Sequence, residues 1–197
     1  MLYIKRKYFD NLGRSMGEVL AKLPISANQW TLTGMAIVLI SFILLVNQSF
    51  LLAGIVCLIA SSVDMIDGAV ARAKRRATVF GAYLDTIVDR LIEFIVIFGL
   101  FLVPYPDFIL PTSIWLFIMM FGSLMVTYTK AAATEKRLVL GGMKGGGLLE
   151  HPDRMLLITA TIIASHFSME YASYLIAITT VLIVITAVQR FVIATKR

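Results

Sequence analysis

One cysteine, Cys57, stands in 197 residues, so no disulfide can close within the chain, and the apolar run around it gives it a packing role. Histidine is nearly as scarce. His151 and His166 have no partner pattern for metal binding or nucleophilic catalysis, and Ser61 and Ser62 have no triad around them. Charge is thin at 15% Asp, Glu, Lys and Arg, while 59% of residues are hydrophobic and the mean hydropathy is +0.87. That balance excludes a soluble domain of this length and points to an integral membrane protein of one domain, residues 1–197. No internal repeat or nucleic-acid motif is visible, so the net charge of +6 is read as a membrane-surface charge and no nucleic-acid partner is expected. No cleavable signal peptide is expected either, because the first apolar run starts only near Thr31, behind a long charged segment.

What the chain has in plenty is apolar helix. In residues 1–26, Phe9, Leu12, Met16, Val19, Leu20 and Leu23 recur at helical spacing among Lys5, Arg6, Lys7, Arg14 and Lys22, which predicts an amphipathic helix lying in the headgroup region. Pro24 ends it, and Ser26 or Asn28 can cap the next helix. Residues 27–197 are then expected to form an all-α bundle of six transmembrane helices. The spans run about Trp30–Val46, from beyond the polar turn Asn47 to Ser49 to the region of Arg72, Gly81–Val103, Ser113–Tyr128 with an extension towards Arg137, Arg154–Ser165 and Tyr171–Ile193. Pro104, Pro106 and Pro111 mark a loop, Gly141 to Gly147 a mobile one, and Trp30 and Trp115 are read as interfacial anchors. With six spans, every Lys and Arg except Arg90 falls on one side, and the turns at 47–50, 104–112 and 166–172 carry none. By the positive-inside rule both termini face the cytoplasm.

Against that background the stretch Asp64 to Asp89, DMIDGAVARAKRRATVFGAYLDTIVD, stands apart. On helices, Asp64 and Asp67 at i, i+3 share one face and Asp85 and Asp89 at i, i+4 share another, so two antiparallel helices can bring four carboxylates together. Like charges at that range take up protons or bind a cation, and an all-oxygen donor set suits Mg²⁺, Mn²⁺ or Ca²⁺. Arg72 adds a planar fork suited to phosphate, or pairs with an aspartate. At the same end, Lys130, Arg154 and Arg190 terminate three different spans. Converging cations call for an anion, although cations at span ends also serve as snorkelling or positive-inside charges.

The pattern D-x2-D-G-x2-A-R-x8-G-x3-D-x3-D, filled here by Asp64, Asp67, Gly68, Ala71, Arg72, Gly81, Asp85 and Asp89, resembles the signature of the CDP-alcohol phosphotransferase family at all eight fixed positions. The resemblance implies transfer of a lipid phosphate from a CDP-lipid to an alcohol with release of CMP. It assigns Asp64, Asp67, Asp85 and Asp89 to two Mg²⁺ or Mn²⁺ ions and Asp89 to the general base. It further assigns Gly68, Ala71, Arg72 and Gly81 to CDP, with Asn28 and Thr31 of ISANQWTLTG near the diphosphate. Gly68 and Gly81 also fit close helix packing, and Asn28 and Thr31 simple capping. The contexts of Lys130, Arg154 and Arg190 are similar to the inositol-phosphate branch, where a Lys and two Arg bind the acceptor phosphate. HPDR at 151–154 departs from its more familiar Arg-Pro-Glu-Arg, which leaves His151 and Asp153 open. A homodimer in the cytoplasmic membrane is implied as well. Glycerol 3-phosphate and serine are the other acceptors to test. A divalent-cation transporter is the reading from another class, but the acids gather at one end with no second site to continue a path.

Overall fold

In the computed structural model the described residues are 25–73, 78–138 and 147–195, with the side chains at 27, 64–69 and 71–73 outside that description. The expected interfacial helix lies almost wholly in residues 1–24, outside the described residues, as do Gly141 to Gly146. Six helices follow: α1 Ala27–Val46, α2 Phe50–Ala73, α3 Val79–Phe101, α4 Thr112–Glu135, α5 His151–Phe167 and α6 Met169–Thr195. Ser26, not Asn28, caps α1. Its hydroxyl accepts the Gln29 amide at 3.3 Å while the Gln29 side chain accepts the Ser26 amide at 2.7 Å, a reciprocal capping box. Asn47 and Gln48 reverse the chain, and the buried Ser41 hydroxyl donates to Ala53 O at 2.8 Å, tying α1 to α2.

Neighbour relations close into a ring in the order α1, α2, α5, α6, α4, α3 and back to α1, with a further contact between α3 and α5 across it. Large apolar side chains line the outside of the ring, among them Ile43, Phe117, Leu156 and Phe191, each more than half exposed. In water such a surface would drive aggregation; in a bilayer it meets lipid. By length and composition α4, α6 and Asn28–Val46 of α1 can cross a membrane. α3 and α5 fall short on that measure for identifiable reasons: α3 carries Asp85, Asp89, Arg90 and Glu93, and α5 has only 17 residues.

One end of the bundle is closed by the proline loop. Thr112 and Ser173 hydroxyls both donate to Pro106 O, at 2.7 and 2.8 Å, and Trp115 Nε1 donates to Phe108 O at 2.8 Å, so Trp115 fastens the loop to α4. Tyr105 reaches Ser165 Oγ at 2.8 Å, and its burial pushes the phenol up to about 12, which keeps it protonated in that bond. The other end gathers the starts of α1, α3 and α5 and the last turns of α2, α4 and α6. All the candidate site residues lie in those turns.

Candidate functional site

Asp64, Asp67, Gly68, Ala71 and Arg72 occupy the last turns of α2, whose helix continues to Ala73; their side chains lie outside the described residues. α3 begins across a short break. Thr78 caps it by accepting the Gly81 amide at 2.9 Å, and Asp85 and Asp89 follow at i, i+4, both half-buried. A Cβ on Gly81 would stand 3.3 Å from Asn28 Oδ1 and 3.0 Å from Thr78 Oγ1. The missing side chain therefore lets the starts of α1 and α3 meet, which brings Asn28 and Gly81, 53 positions apart in sequence, to one place. Thr31, one turn further along α1, is buried.

No trio of His, Cys, Asp or Glu among the described residues forms a metal group, and the Asp64 and Asp67 carboxylates are outside that set. The donor chemistry itself fits: Asp85 and Asp89 present oxygen ligands on one face of α3, as a hard divalent ion requires.

One turn beyond Asp89, Glu93 is 2% exposed, and its carboxylate has partners from three helices. Arg90 Nη1 donates to its Oε2 at 2.5 Å, Arg154 Nε to Oε1 at 2.7 Å and Arg154 Nη2 to Oε2 at 2.9 Å. The Ser123 hydroxyl also donates to Oε1. His151 places Nδ1 at 3.3 Å from Glu93 Oε2 and Nε2 at 3.8 Å from Asp89 Oδ1. Arg90 Nη2 is likewise 3.8 Å from Asp89 Oδ2. The charge-assisted, two-pronged grip of Arg154 is of the kind that makes burial of a carboxylate tolerable.

The three cations are ordered along α4. Arg154, 1% exposed, donates from Nε to Ser123 Oγ at 3.0 Å, and Arg190, 9% exposed, donates from Nη1 to Val126 O at 2.9 Å. Ser123, Val126 and Lys130 share one stripe of α4 at i, i+3 and i+7, so the three cations lie at successive levels towards the site end. The Lys130 side chain is exposed; the two arginines are buried.

The α5 start is held against α6: Leu148 N donates to Gln189 Oε1 at 2.8 Å and Leu149 N to Thr186 Oγ1 at 3.2 Å. Gly147 makes the turn with φ +116°, where a Cβ would be strained and would stand 2.7 Å from Thr186 Cγ2. Asp153 accepts the Glu150 amide at 2.9 Å and so caps α5, whereas His151 points at Asp89 and Glu93. Sequence reasoning gave Glu93 and Ser123 no role and left His151 open. Glu93 had a signal, a lone acid inside an otherwise apolar stretch of helix; Ser123 had none.

The family model for CDP-alcohol phosphatidyltransferase matches residues 25–185. The archaetidylinositol phosphate synthase of Pyrococcus horikoshii is 34% identical over 183 residues, 92% of this chain and 90% of that protein. The crystal structure of the phosphatidylinositol phosphate synthase of Mycobacterium tuberculosis with CDP-DAG bound superposes with a TM-score of 0.79 at 25% identity, covering 93% of this chain and 94% of the other. The same enzyme in complex with manganese and citrate gives 0.78 at 26% identity, covering 92% and 88%.

Proposed function

Because this chain belongs to the CDP-alcohol phosphatidyltransferase family, and is a membrane transferase of phospholipid biosynthesis, we propose that it passes a diacylglycerol- or archaeol-phosphate group from a CDP-lipid to a hydroxyl of inositol phosphate and releases CMP. The observation that supports a phosphorylated acceptor is the ladder of Lys130, Arg154 and Arg190 along α4, joined through Glu93 to the neighbourhood of Asp89, and inositol phosphate is preferred to glycerol 3-phosphate because the similar proteins are inositol phosphate synthases. A phosphate anchored by those cations leaves the rest of a small polyol to reach towards Asp89. Serine has no such anchor.

In this reading Asp89 accepts the proton of the acceptor hydroxyl as its oxygen bonds to the lipid-bearing phosphorus, and the phosphoanhydride bond to CMP breaks. Gly68, Ala71, Arg72 and Gly81, with Asn28 and Thr31, hold the CDP moiety, and Arg72 offers its fork to the diphosphate. Asp64, Asp67, Asp85 and Asp89 would hold Mg²⁺ or Mn²⁺, two ions in all, whose chemistry is to neutralise the diphosphate and the departing CMP. The described helices form the core of a six-span bundle over residues 27–197, preceded by an interfacial helix in 1–26. The site end and both termini face the cytoplasm, where soluble acceptors are found, and two chains form a homodimer. The basic residues gathered at that end support the orientation.

Purified protein in detergent, given Mg²⁺ and a CDP-lipid, is expected to release CMP with inositol 1-phosphate and far less with glycerol 3-phosphate or serine. Release only with one of the latter would keep the aspartate chemistry and remove the acceptor assignment, and no release with any acceptor would return the cation-transport reading. Arg190→Ala is expected to raise the acceptor KM by roughly 10- to 100-fold, the loss of one charge-assisted contact, with little change in the KM for CDP-lipid. Steady-state kinetics with each substrate varied in turn checks this. An unchanged acceptor KM would remove Arg190 from the phosphate pocket.

A further inference from the structure

Glu93 belongs neither to the aspartate pattern nor to the cation ladder, yet it joins them. Its carboxylate is the point at which α3, α4 and α5 meet, bound by Arg90 from its own helix, Ser123 from α4 and Arg154 from α5, with His151 of α5 at 3.3 Å. One guanidinium would suffice to neutralise one buried carboxylate. Two are present, and Arg90 also stands 3.8 Å from Asp89, so the two arginines join Glu93 and Asp89 in one charge cluster.

The geometry of the grip says what it does to Arg154. Glu93 takes the Nε and Nη2 side of the guanidinium, which sets the plane of the fork and turns its Nη1 side away from α3. The same carboxylate faces one nitrogen of His151 while the other nitrogen lies 3.8 Å from Asp89 Oδ1. Arg154 and His151 of α5 therefore both stand against Glu93, with His151 beside Asp89 of α3.

We propose that Glu93 is a positioning residue for the acceptor: by fixing Arg154 and His151 against Asp89, it sets the distance between the bound acceptor phosphate and the group that receives the hydroxyl proton. This rests on the acceptor reading given above and extends it to a residue that touches no substrate. Misplacing a reacting group by about 1 Å can cost about 100-fold in rate, so the support for that distance has kinetic consequences.

The test is Glu93→Gln, nearly isosteric, compared with the native protein, Arg154→Lys and the double variant in the CMP-release assay. The single change is expected to raise the inositol 1-phosphate KM by roughly 10- to 100-fold and to leave the CDP-lipid KM alone. The double variant should be little worse than Arg154→Lys, because both act through one contact. A general structural defect would instead affect both substrates and add independently. If Glu93→Gln melts with the native protein and keeps the native acceptor KM, or if the two changes add fully, the proposal fails. Should Glu93→Gln not fold, Ser123→Ala loosens the same carboxylate without altering charge. It is expected to raise the acceptor KM selectively by a smaller factor, and no selective rise would overturn the proposal. Native protein inactive with inositol 1-phosphate would refute the acceptor reading itself. The comparison would then be run with glycerol 3-phosphate, whose phosphate meets the same arginine.

Discussion

Asp89→Asn is expected to lower kcat by roughly 100- to 10,000-fold, the span usually lost with a general base, while CDP-lipid binding largely survives. Asparagine keeps the size and shape of the side chain on α3 and removes the charge that faces His151 Nε2 and Arg90 Nη2, each at 3.8 Å. Two effects are folded into that loss, because Asp89 also closes the aspartate set that would hold the divalent ions. Titration with metal separates them. A variant lacking only a ligand recovers as Mg²⁺ or Mn²⁺ is raised, since the weaker site refills; a variant lacking its base stays slow at saturating metal. Single-turnover CMP release from preloaded CDP-lipid, followed across a metal series, makes the measurement. Full activity at any metal concentration would remove Asp89 from the chemistry, and complete rescue by metal would leave it as a ligand alone.

Arg154→Ala is expected to act on both stability and acceptor binding. The side chain is 1% exposed and supplies two of the hydrogen bonds to Glu93 and one to Ser123. Breaking a buried ion pair by deleting one partner costs about 3–5 kcal/mol, and here the low end applies because Arg90 still donates to Glu93 and His151 still faces it. Unfolding in detergent by a denaturant series reads that loss. At temperatures where the variant remains folded, the acceptor KM is expected to rise more than for Arg190→Ala, because Arg154 loses its own contact and releases the Glu93 register as well. Arg154→Lys should recover part of the stability and little of the acceptor KM, since an ammonium cannot reproduce the two-pronged contact. An Arg154→Ala protein as stable as the native one, with an unaltered acceptor KM, would contradict both parts.

Some features were readable because their causes are local. Ser26 and Gln29 lie three positions apart, so the α1 start is written within one turn, and Pro104, Pro106 and Pro111 interrupt helix wherever they stand. The spacing of Asp85 and Asp89 likewise puts both on one face of α3 whatever the neighbouring helix is. The acid pattern from Asp64 to Asp89 shares this property, being confined to two consecutive helix ends.

Other features depend on partners that no spacing predicts. Glu93 meets Ser123 at a separation of 30 residues and Arg154 at 61, and Tyr105 meets Ser165 at 60. Which side chains stand at the same level depends on how α3, α4 and α5 slide and rotate against one another, and that is settled by packing over their whole length. Lys130, Arg154 and Arg190 were recognisable as three cations near three helix ends. Only the packed bundle distinguishes them: it buries the two arginines against Glu93, Ser123 and Val126 and leaves Lys130 exposed. By itself the sequence determined the all-helical apolar class, the approximate places of the helices and the aspartate pattern, because each follows from residues within a few turns of one another. The tertiary structure alone decided that an acid outside the pattern would link that pattern to the cations, because a buried carboxylate is held by whatever donors distant helices bring to it.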